Sequence, residues 1–197
     1  MESFAYPHFS STVHVALFVH VTNAAKLKAR IVRASTLEGT EGQVEREAVN
    51  FAFVDARLVT SVLHIQTAIT QALLAAAQNT LRTKTVHSEV IWALNPSNNI
   101  TEALRRYGVS DDTTALLVIR IDPLNPSGVK SRMSAAVEGT QVPMSQLASL
   151  TDWVSVKKYN KLNVDPVIRE AQNNPAREHH LIDNIVVSLV AMKSVAA

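Results

Sequence analysis

Residues 99–121, NITEALRRYGVSDDTTALLVIRI, predict a complete helix, a turn and a buried strand in that order. Asn99 is a typical helix-capping residue, and Glu102, three positions later, can return a hydrogen bond to the backbone N–H of the cap. Gly108 follows the last helical position and predicts a left-handed helix end. The apolar stripe of this helix recurs at helical spacing and consists of Ile100, Ala103, Leu104 and Tyr107.

The strand that ends this stretch, residues 114–121, is an almost unbroken apolar run. Such a run indicates burial on both faces, and therefore a central position in a sheet. Residues 13–21 alternate instead, with five apolar side chains, four valines and Leu17, at every second position. That period of two predicts a second strand with one strongly apolar face.

Helices account for most of the remaining chain. Helical spacing of apolar residues predicts helices at 24–33, 58–81, 88–94, 145–162 with a break near Thr151, and 178–193, of which 58–81 is the longest. Residues 139–142 resemble a short strand, whereas 130–137 fit a helix and a strand equally well. Together these elements predict one α+β domain over residues 1–197, with a small antiparallel or mixed sheet covered by helices.

Three polar segments are expected to form loops. Residues 35–47 contain Gly39, Gly42 and four glutamates, and they predict a flexible insertion. Residues 122–128 hold two prolines and a glycine, which favours a surface loop. The polar residues 163–178 predict a further loop, with a short helix as the alternative for part of it.

Composition excludes several classes of protein. The chain has 197 residues, 47% of them apolar, so a fully disordered chain is excluded. It has no cysteine, which rules out disulfides, thiolate metal sites and thiol catalysis. A net charge of +2 is too small for a protein that coats nucleic acid. We expect no secretory signal and no membrane span, because no apolar run approaches the roughly 20 residues that a span requires.

No motif of a known enzyme class is present. The glycine-rich phosphate loops, the nucleophile elbow and the HExxH zinc motif are all absent. Seven histidines invite a metal or acid–base hypothesis, but none has a second ligand at convincing spacing. One alternative nevertheless stays open: a stand-alone small-molecule enzyme or ligand-binding domain in which folding gathers His64, His87 and His179 in a polar pocket.

Two kinds of surface are candidates for partner binding. Three short basic stretches could contact phosphate groups if they meet on one face, although a solvated helix end is the better explanation for any one residue. They contain Arg82, Lys84, Arg105, Arg106, Lys157 and Lys158. The second kind is the apolar stripe of residues 100–107 together with Ile185 and Leu189. Such stripes face either the core or a partner protein.

Residues 88–122, beginning SEVIWALNPSNNITEALRRYG, resemble the TPRKB family, the small kinase-binding subunits of the KEOPS (EKC) complex. The resemblance rests on Ser88-Glu89 with apolar neighbours, then on Asn98 through Val109. Similar stretches occur at 137–142 and 156–162, and the order of strands and helices fits. Tyr159-Asn160 departs from the apolar-Tyr pair of the family, and the segments near 35–47 and 163–180 look longer than usual.

The resemblance implies a non-catalytic accessory subunit with a TPRKB-like fold and no cofactor, in the nucleus and cytoplasm. Such subunits bind the small atypical kinase of KEOPS and aid tRNA recruitment for threonylcarbamoylation of the adenosine next to the anticodon. The family is also linked to telomeres and transcription, so a purely structural telomere-associated factor is a further alternative. On this basis the kinase-binding residues are predicted to be Ile100, Ala103, Leu104, Tyr107, Ile185 and Leu189, and the six basic residues above are predicted tRNA contacts.

Overall fold

The computed structural model describes residues 1–123 and 128–196. Within these ranges the chain forms one sheet whose strands are β1 (Glu2–Tyr6), β2 (Ser11–Val19), β3 (Ala52–Asp55), β4 (Ala115–Pro123) and β5 (Thr140–Val142). All paired neighbours are antiparallel, in the order β1-β2-β4-β3, and β5 pairs with residues 17–19 of β2, beyond β1 on the same edge. The predicted α+β fold with a small sheet is confirmed.

Helices follow and separate these strands. In the described part of the chain they are α1 (Ala24–Thr36), α2 (Gly39–Ala48), α3 (Val62–Ala77), α4 (Val86–Leu94), α5 (Ile100–Tyr107), α6 (Val129–Ala136), α7 (Leu147–Leu150), α8 (Trp153–Tyr159), α9 (Pro166–Ala171) and α10 (Pro175–Ala196). The ambiguous segment 130–137 is therefore helical. The break expected near Thr151 separates α7 from α8.

The central position predicted for β4 is confirmed, because β4 lies between β2 and β3. Its pairing with β2 places Val15 opposite Ile119 and Leu17 opposite Leu117. These side chains are all fully buried. Since a central strand satisfies its backbone groups on both edges, an apolar run can be buried there without unpaired polar groups.

Both faces of the sheet are covered by helices, so the expectation of a single apolar face on β2 is wrong. Val13, Val15 and Leu17 pack in a core with α3, α4, α5 and α10. Ala16 and Phe18, on the opposite face, pack in a second core with α1 and α6. Ala16 and Phe18 are buried as well. The alternating side chains of β2 therefore face two different cores, and not a core on one side and solvent on the other.

The flexible insertion expected at residues 35–47 is instead the end of α1 followed by α2. Ion pairs hold α2 in place: Glu45 pairs with Arg30, and Glu47 lies 2.7 Å from Arg120. Gly42 allows the close approach of the chain, because a Cβ there would lie 2.4 Å from the carbonyl oxygen of Leu37. Ion pairs therefore order this segment, although its polar composition predicts a flexible loop.

The polar segment 163–178 is also largely helical. Asp165 caps α9 by accepting bonds from the N–H groups of Val167 and Ile168, at 2.9 and 3.1 Å. α10 then begins at Pro175 and is, at 22 residues, longer than α3. The prediction that residues 58–81 form the longest helix is therefore wrong, because Asp55 caps only a short turn and Ser61 caps α3.

The end of α5 differs from the expected left-handed stop. Gly108 has φ −78° and ψ 173°, an extended conformation, and it bridges to Val54 of β3. A Cβ at Gly108 would lie 2.4 Å from the carbonyl oxygen of Leu104. Glycine is therefore required for close approach and not for a positive φ. Of the loop expected at 122–128, residues 124–127 lie outside the described residues.

Candidate partner-binding surface

The apolar stripe of α5 divides between the core and the surface. Ala103 and Tyr107 are buried in the folded chain, and their role as kinase contacts stays a prediction. Ile100 and Leu104, on the outer side of the same stripe, keep 37% and 43% of their surface exposed. A stripe of four residues covers more of the helix circumference than the core occupies here, which is why half of it stays outside.

The last helix presents a second group of exposed apolar side chains. Leu189 and Met192 are 44% and 61% exposed, whereas Ile185 is partly buried against the core. Ile182, Val186 and Val190 face inward and are buried. The sequence did not single out Met192, although its spacing of three from Leu189 is the signal that places both on one side.

The end of α10 contacts the loop between α4 and α5 through one side chain. The ammonium of Lys193 donates hydrogen bonds to the carbonyl oxygens of Trp92, Asn95 and Ser97. Leu189 lies one helical turn before Lys193, and Ile100 lies three residues after Ser97. We define the apolar surface as Ile100, Leu104, Leu189 and Met192.

A chain of polar contacts continues from this junction into α5. Asn99 caps α5 by accepting from the N–H of Glu102 at 3.0 Å, as expected. Glu102 does not bond to the cap itself; its carboxylate accepts from the hydroxyl of Ser97 at 2.5 Å and pairs with Arg106 at 2.6 Å. The Ser97 hydrogen bond, with help from Arg106, holds the pKa of Glu102 below its usual value.

Of the three basic stretches, the structure brings two together. The Arg106 guanidinium lies 4.6 Å from the centre of the Tyr159 ring, so the ends of α5 and α8 adjoin. Arg106 and Lys157 are occupied in ion pairs, the latter with Glu178 at 2.7 Å. Arg105 and Lys158 are exposed at the same helix ends.

Arg82 and Lys84 lie elsewhere, in the loop before α4. The carboxylate of Glu89 fixes this loop by accepting from the N–H groups of Arg82 and Thr83, at 3.1 and 2.8 Å. Arg82, Glu89 and Lys193 line a cavity of about 230 Å³ between α3, α4 and α10. These two basic residues thus border a different part of the molecule from the α5–α8 ends.

The three histidines of the enzyme alternative occupy separate environments. His64 is buried and contacts Thr60, which donates to Asp183 at 2.6 Å. His87 accepts from the backbone N–H of Ile121 at 3.0 Å, and His179 stacks on Trp153 with ring centres 3.9 Å apart. Burial lowers the pKa of both His64 and His87 to about 4, which keeps them neutral at pH 7.

Folding therefore does not gather these histidines as that alternative requires. Neither the cavity beside Lys193 nor a second groove, between β1 and α3, is lined by any of the three. In residues 1–123 and 128–196, no three His, Asp or Glu side chains are placed to share a metal ion. In the same ranges, no helix is long and apolar enough to cross a membrane.

The sequence matches a known protein family over most of its length. Residues 18–194 match the family model of the kinase binding protein CGI-121, which covers most of the chain. The chain belongs to the CGI-121 family. The resemblance drawn from residues 88–122 to a kinase-binding subunit is thereby confirmed.

Fungal members of the CGI-121 family are similar to this chain over most of their length. The EKC/KEOPS complex subunit CGI121 of Cryptococcus neoformans is 33% identical, with 99% of this chain and all of the relative covered. The subunit of Neurospora crassa is 31% identical over 98% of both chains. That of Kluyveromyces lactis is 34% identical over 71% of this chain and 79% of its own.

Proposed function

We propose that this chain is a non-catalytic subunit of an EKC/KEOPS complex and that it binds the small atypical kinase of that complex through its apolar surface. The family description and the names of the fungal relatives support a kinase partner. The observation that carries the placement is the exposure of neighbouring apolar side chains on two helices, Ile100 with Leu104 on α5 and Leu189 with Met192 on α10. Exposed aliphatic side chains that adjoin one another are typical of docking surfaces.

Energetics favour this surface as a docking site for a protein. Each of the four side chains removes further apolar area from water when a partner covers it, at roughly 25 cal/mol for each Å². The helix that carries Ile100 and Leu104 is already ordered by its cap and its ion pair, so little conformational entropy is lost on binding.

Charge substitution tests the proposal. Ile100→Glu and Leu104→Glu should each weaken kinase binding by about 100-fold or more, because a covered carboxylate would lie unpaired in an apolar contact. Val44→Glu, on α2 and 71% exposed in the wild type, is the matched control and should bind normally. Binding is measured by calorimetry with the purified kinase subunit of a fungal EKC/KEOPS complex.

Circular dichroism of the same variants separates docking from folding. We expect native spectra, since both side chains already contact solvent. Normal kinase affinity in the folded Ile100→Glu and Leu104→Glu variants would remove α5 from the interface. Unfolding of either variant would show that its side chain belongs to the core.

We further propose that the subunit contributes to tRNA recruitment for threonylcarbamoyladenosine formation next to the anticodon, in the nucleus and cytoplasm. Arg105 and Lys158 support this, because both are exposed on adjoining helix ends while Arg106 and Lys157 are paired. Roles in telomere maintenance and transcription belong to the same family expectation.

Salt dependence tests the tRNA proposal. The double variant Arg105→Glu, Lys158→Glu should weaken tRNA binding and reduce the salt slope by about 1 for each lost phosphate contact. The double variant Lys26→Glu, Lys130→Glu, at exposed lysines on α1 and α6, makes the same change of net charge and is the control. Equal affinity and equal slope for the double variant and the wild type, in filter binding from low to high salt, would exclude these two residues.

A further inference from the structure

The most unusual side chain of the molecule is Lys193, a buried lysine without a carboxylate partner at hydrogen-bond distance in the described structure. Its ammonium donates to the carbonyl oxygens of Trp92, Asn95 and Ser97, so all three of its N–H groups are used. It also lies 3.9 Å from the centre of the Trp92 ring, where a cation is attracted to the aromatic face.

The three acceptors explain why a cation stands here. The carbonyl groups of Trp92 and Asn95 lie at the end of α4, where the helix dipole concentrates partial negative charge, and the Trp92 carbonyl also accepts from the N–H of Asn95. Ser97 belongs to the loop that leads into α5. One side chain on α10 thus satisfies the end of α4 and fixes the start of the next helix.

From this loop the order continues into α5. The Asn95 side-chain amide donates to the Ser97 hydroxyl at 2.8 Å, and that hydroxyl donates to Glu102, which pairs with Arg106. Lys193 therefore stands at the beginning of a continuous set of contacts from α10 to the last turn of α5. Burial lowers the pKa of Lys193 to about 8, so the ammonium is mostly charged at neutral pH.

We propose that Lys193 is a positioning residue for kinase binding: its ammonium fixes the loop between the end of α4 and the start of α5, so that Ile100 and Leu104 are held in the orientation in which the kinase meets them. The proposal rests on the kinase-binding function proposed above. The new claim is that kinase affinity depends on Lys193 even if the kinase does not contact this residue. A surface that is already ordered loses less conformational entropy on binding.

The absence of cysteine from the chain permits a clean chemical test. The variant Lys193→Cys carries a unique thiol, which is alkylated in denaturant and refolded. Aminoethylation with bromoethylamine yields a thioether with the length and charge of lysine, whereas hydroxyethylation with iodoethanol yields a neutral adduct of the same length. Lys26→Cys, on α1 and treated identically, controls for the chemistry at an exposed site.

Two readouts are compared. In the free chain, amide hydrogen exchange of residues 95–107 should be faster in the neutral adduct at position 193 and restored in the aminoethyl adduct. Kinase affinity should fall by about tenfold or more in the neutral adduct and return with the aminoethyl group. Both adducts at position 26 should leave exchange and kinase affinity unchanged.

The outcomes distinguish the two proposals. Slow exchange of residues 95–107 in the neutral adduct, or wild-type kinase affinity in that adduct, would overturn the role of Lys193. Failure of the unmodified wild-type chain to bind the kinase would overturn the proposed function, and the docking role of Lys193 with it, whereas the exchange data would still decide whether the ammonium orders α5. If the neutral adduct fails to refold while the aminoethyl adduct refolds to the native state, the ammonium is required for global stability. That result would likewise overturn the positioning role.

Discussion

At the scale of single residues, the buried polar side chains fix the structure through bonds to the backbone. Lys193 donates to carbonyl groups of the loop before α5, and His87 accepts from the N–H of Ile121 in β4. Glu89 accepts from two N–H groups before α4. Because an unpaired buried polar group costs about 1–3 kcal/mol, each of these residues specifies one arrangement of its neighbours.

The two buried histidines predict acid sensitivity. Burial lowers the pKa of His64 and of His87 from 6.5 to about 4, so between these values the unfolded chain binds more protons than the folded chain. The free energy of unfolding should therefore fall as the pH falls from 6.5 to 4, by about 3 kcal/mol for each histidine.

Urea denaturation at several pH values checks this. His87→Gln keeps an acceptor for the Ile121 N–H but does not titrate, so its free energy of unfolding should fall by about 3 kcal/mol less than that of the wild type between pH 6.5 and pH 4. His180→Gln, an exposed position, should follow the wild type. Parallel curves for wild type and His87→Gln would contradict the assignment.

At the scale of elements, α5 combines a strong local signal with a tertiary constraint. Its cap at Asn99 is local and follows from the sequence, whereas the role of Gly108 depends on β3. A pattern of residue types could not reveal the extended Gly108, because the constraint comes from the bridge to Val54. α2 shows the same limit: its order depends on Arg30 and Arg120, which are distant along the chain.

Gly108→Ala tests that constraint by the sign of its effect. At an unstrained φ, alanine in place of glycine usually stabilises a protein by about 0.4–1 kcal/mol, through the unfolded state. Here the added Cβ would lie 2.4 Å from the Leu104 carbonyl oxygen, so we expect destabilisation of about 1–3 kcal/mol. Thr101→Ala, exposed on α5, is the control, and a stabilised Gly108→Ala in urea denaturation would refute the clash.

At the scale of the whole molecule, helices cover both faces of the sheet and leave apolar side chains on the outside of the helical layers. The sequence was sufficient for the central strand β4, for the family and for the stripe on α5. It could not divide that stripe, because the burial of Ala103 and Tyr107 and the exposure of Ile100 and Leu104 are set by neighbours that only the fold brings close. The sequence also could not predict which basic residues are paired and which are free for a partner, because Lys157 meets Glu178 only in the folded chain.

A second group of exposed apolar side chains competes with the apolar surface as the docking site for the kinase. Val154, Val164 and Val167, on and beside α8 and α9, are also exposed, and they offer the kinase a different surface. Their helices are not those that Lys193 fixes, since its hydrogen bonds go to the end of α4 and to the loop before α5.

Amide hydrogen exchange of the wild-type chain, free and saturated with the kinase subunit, decides between the two surfaces. If the kinase docks on the apolar surface, amide exchange in the bound state should be slower for peptides covering residues 97–107 and 185–195 and unchanged in α1 and α2. Protection confined to residues 153–171, with 97–107 and 185–195 unaffected, would contradict it.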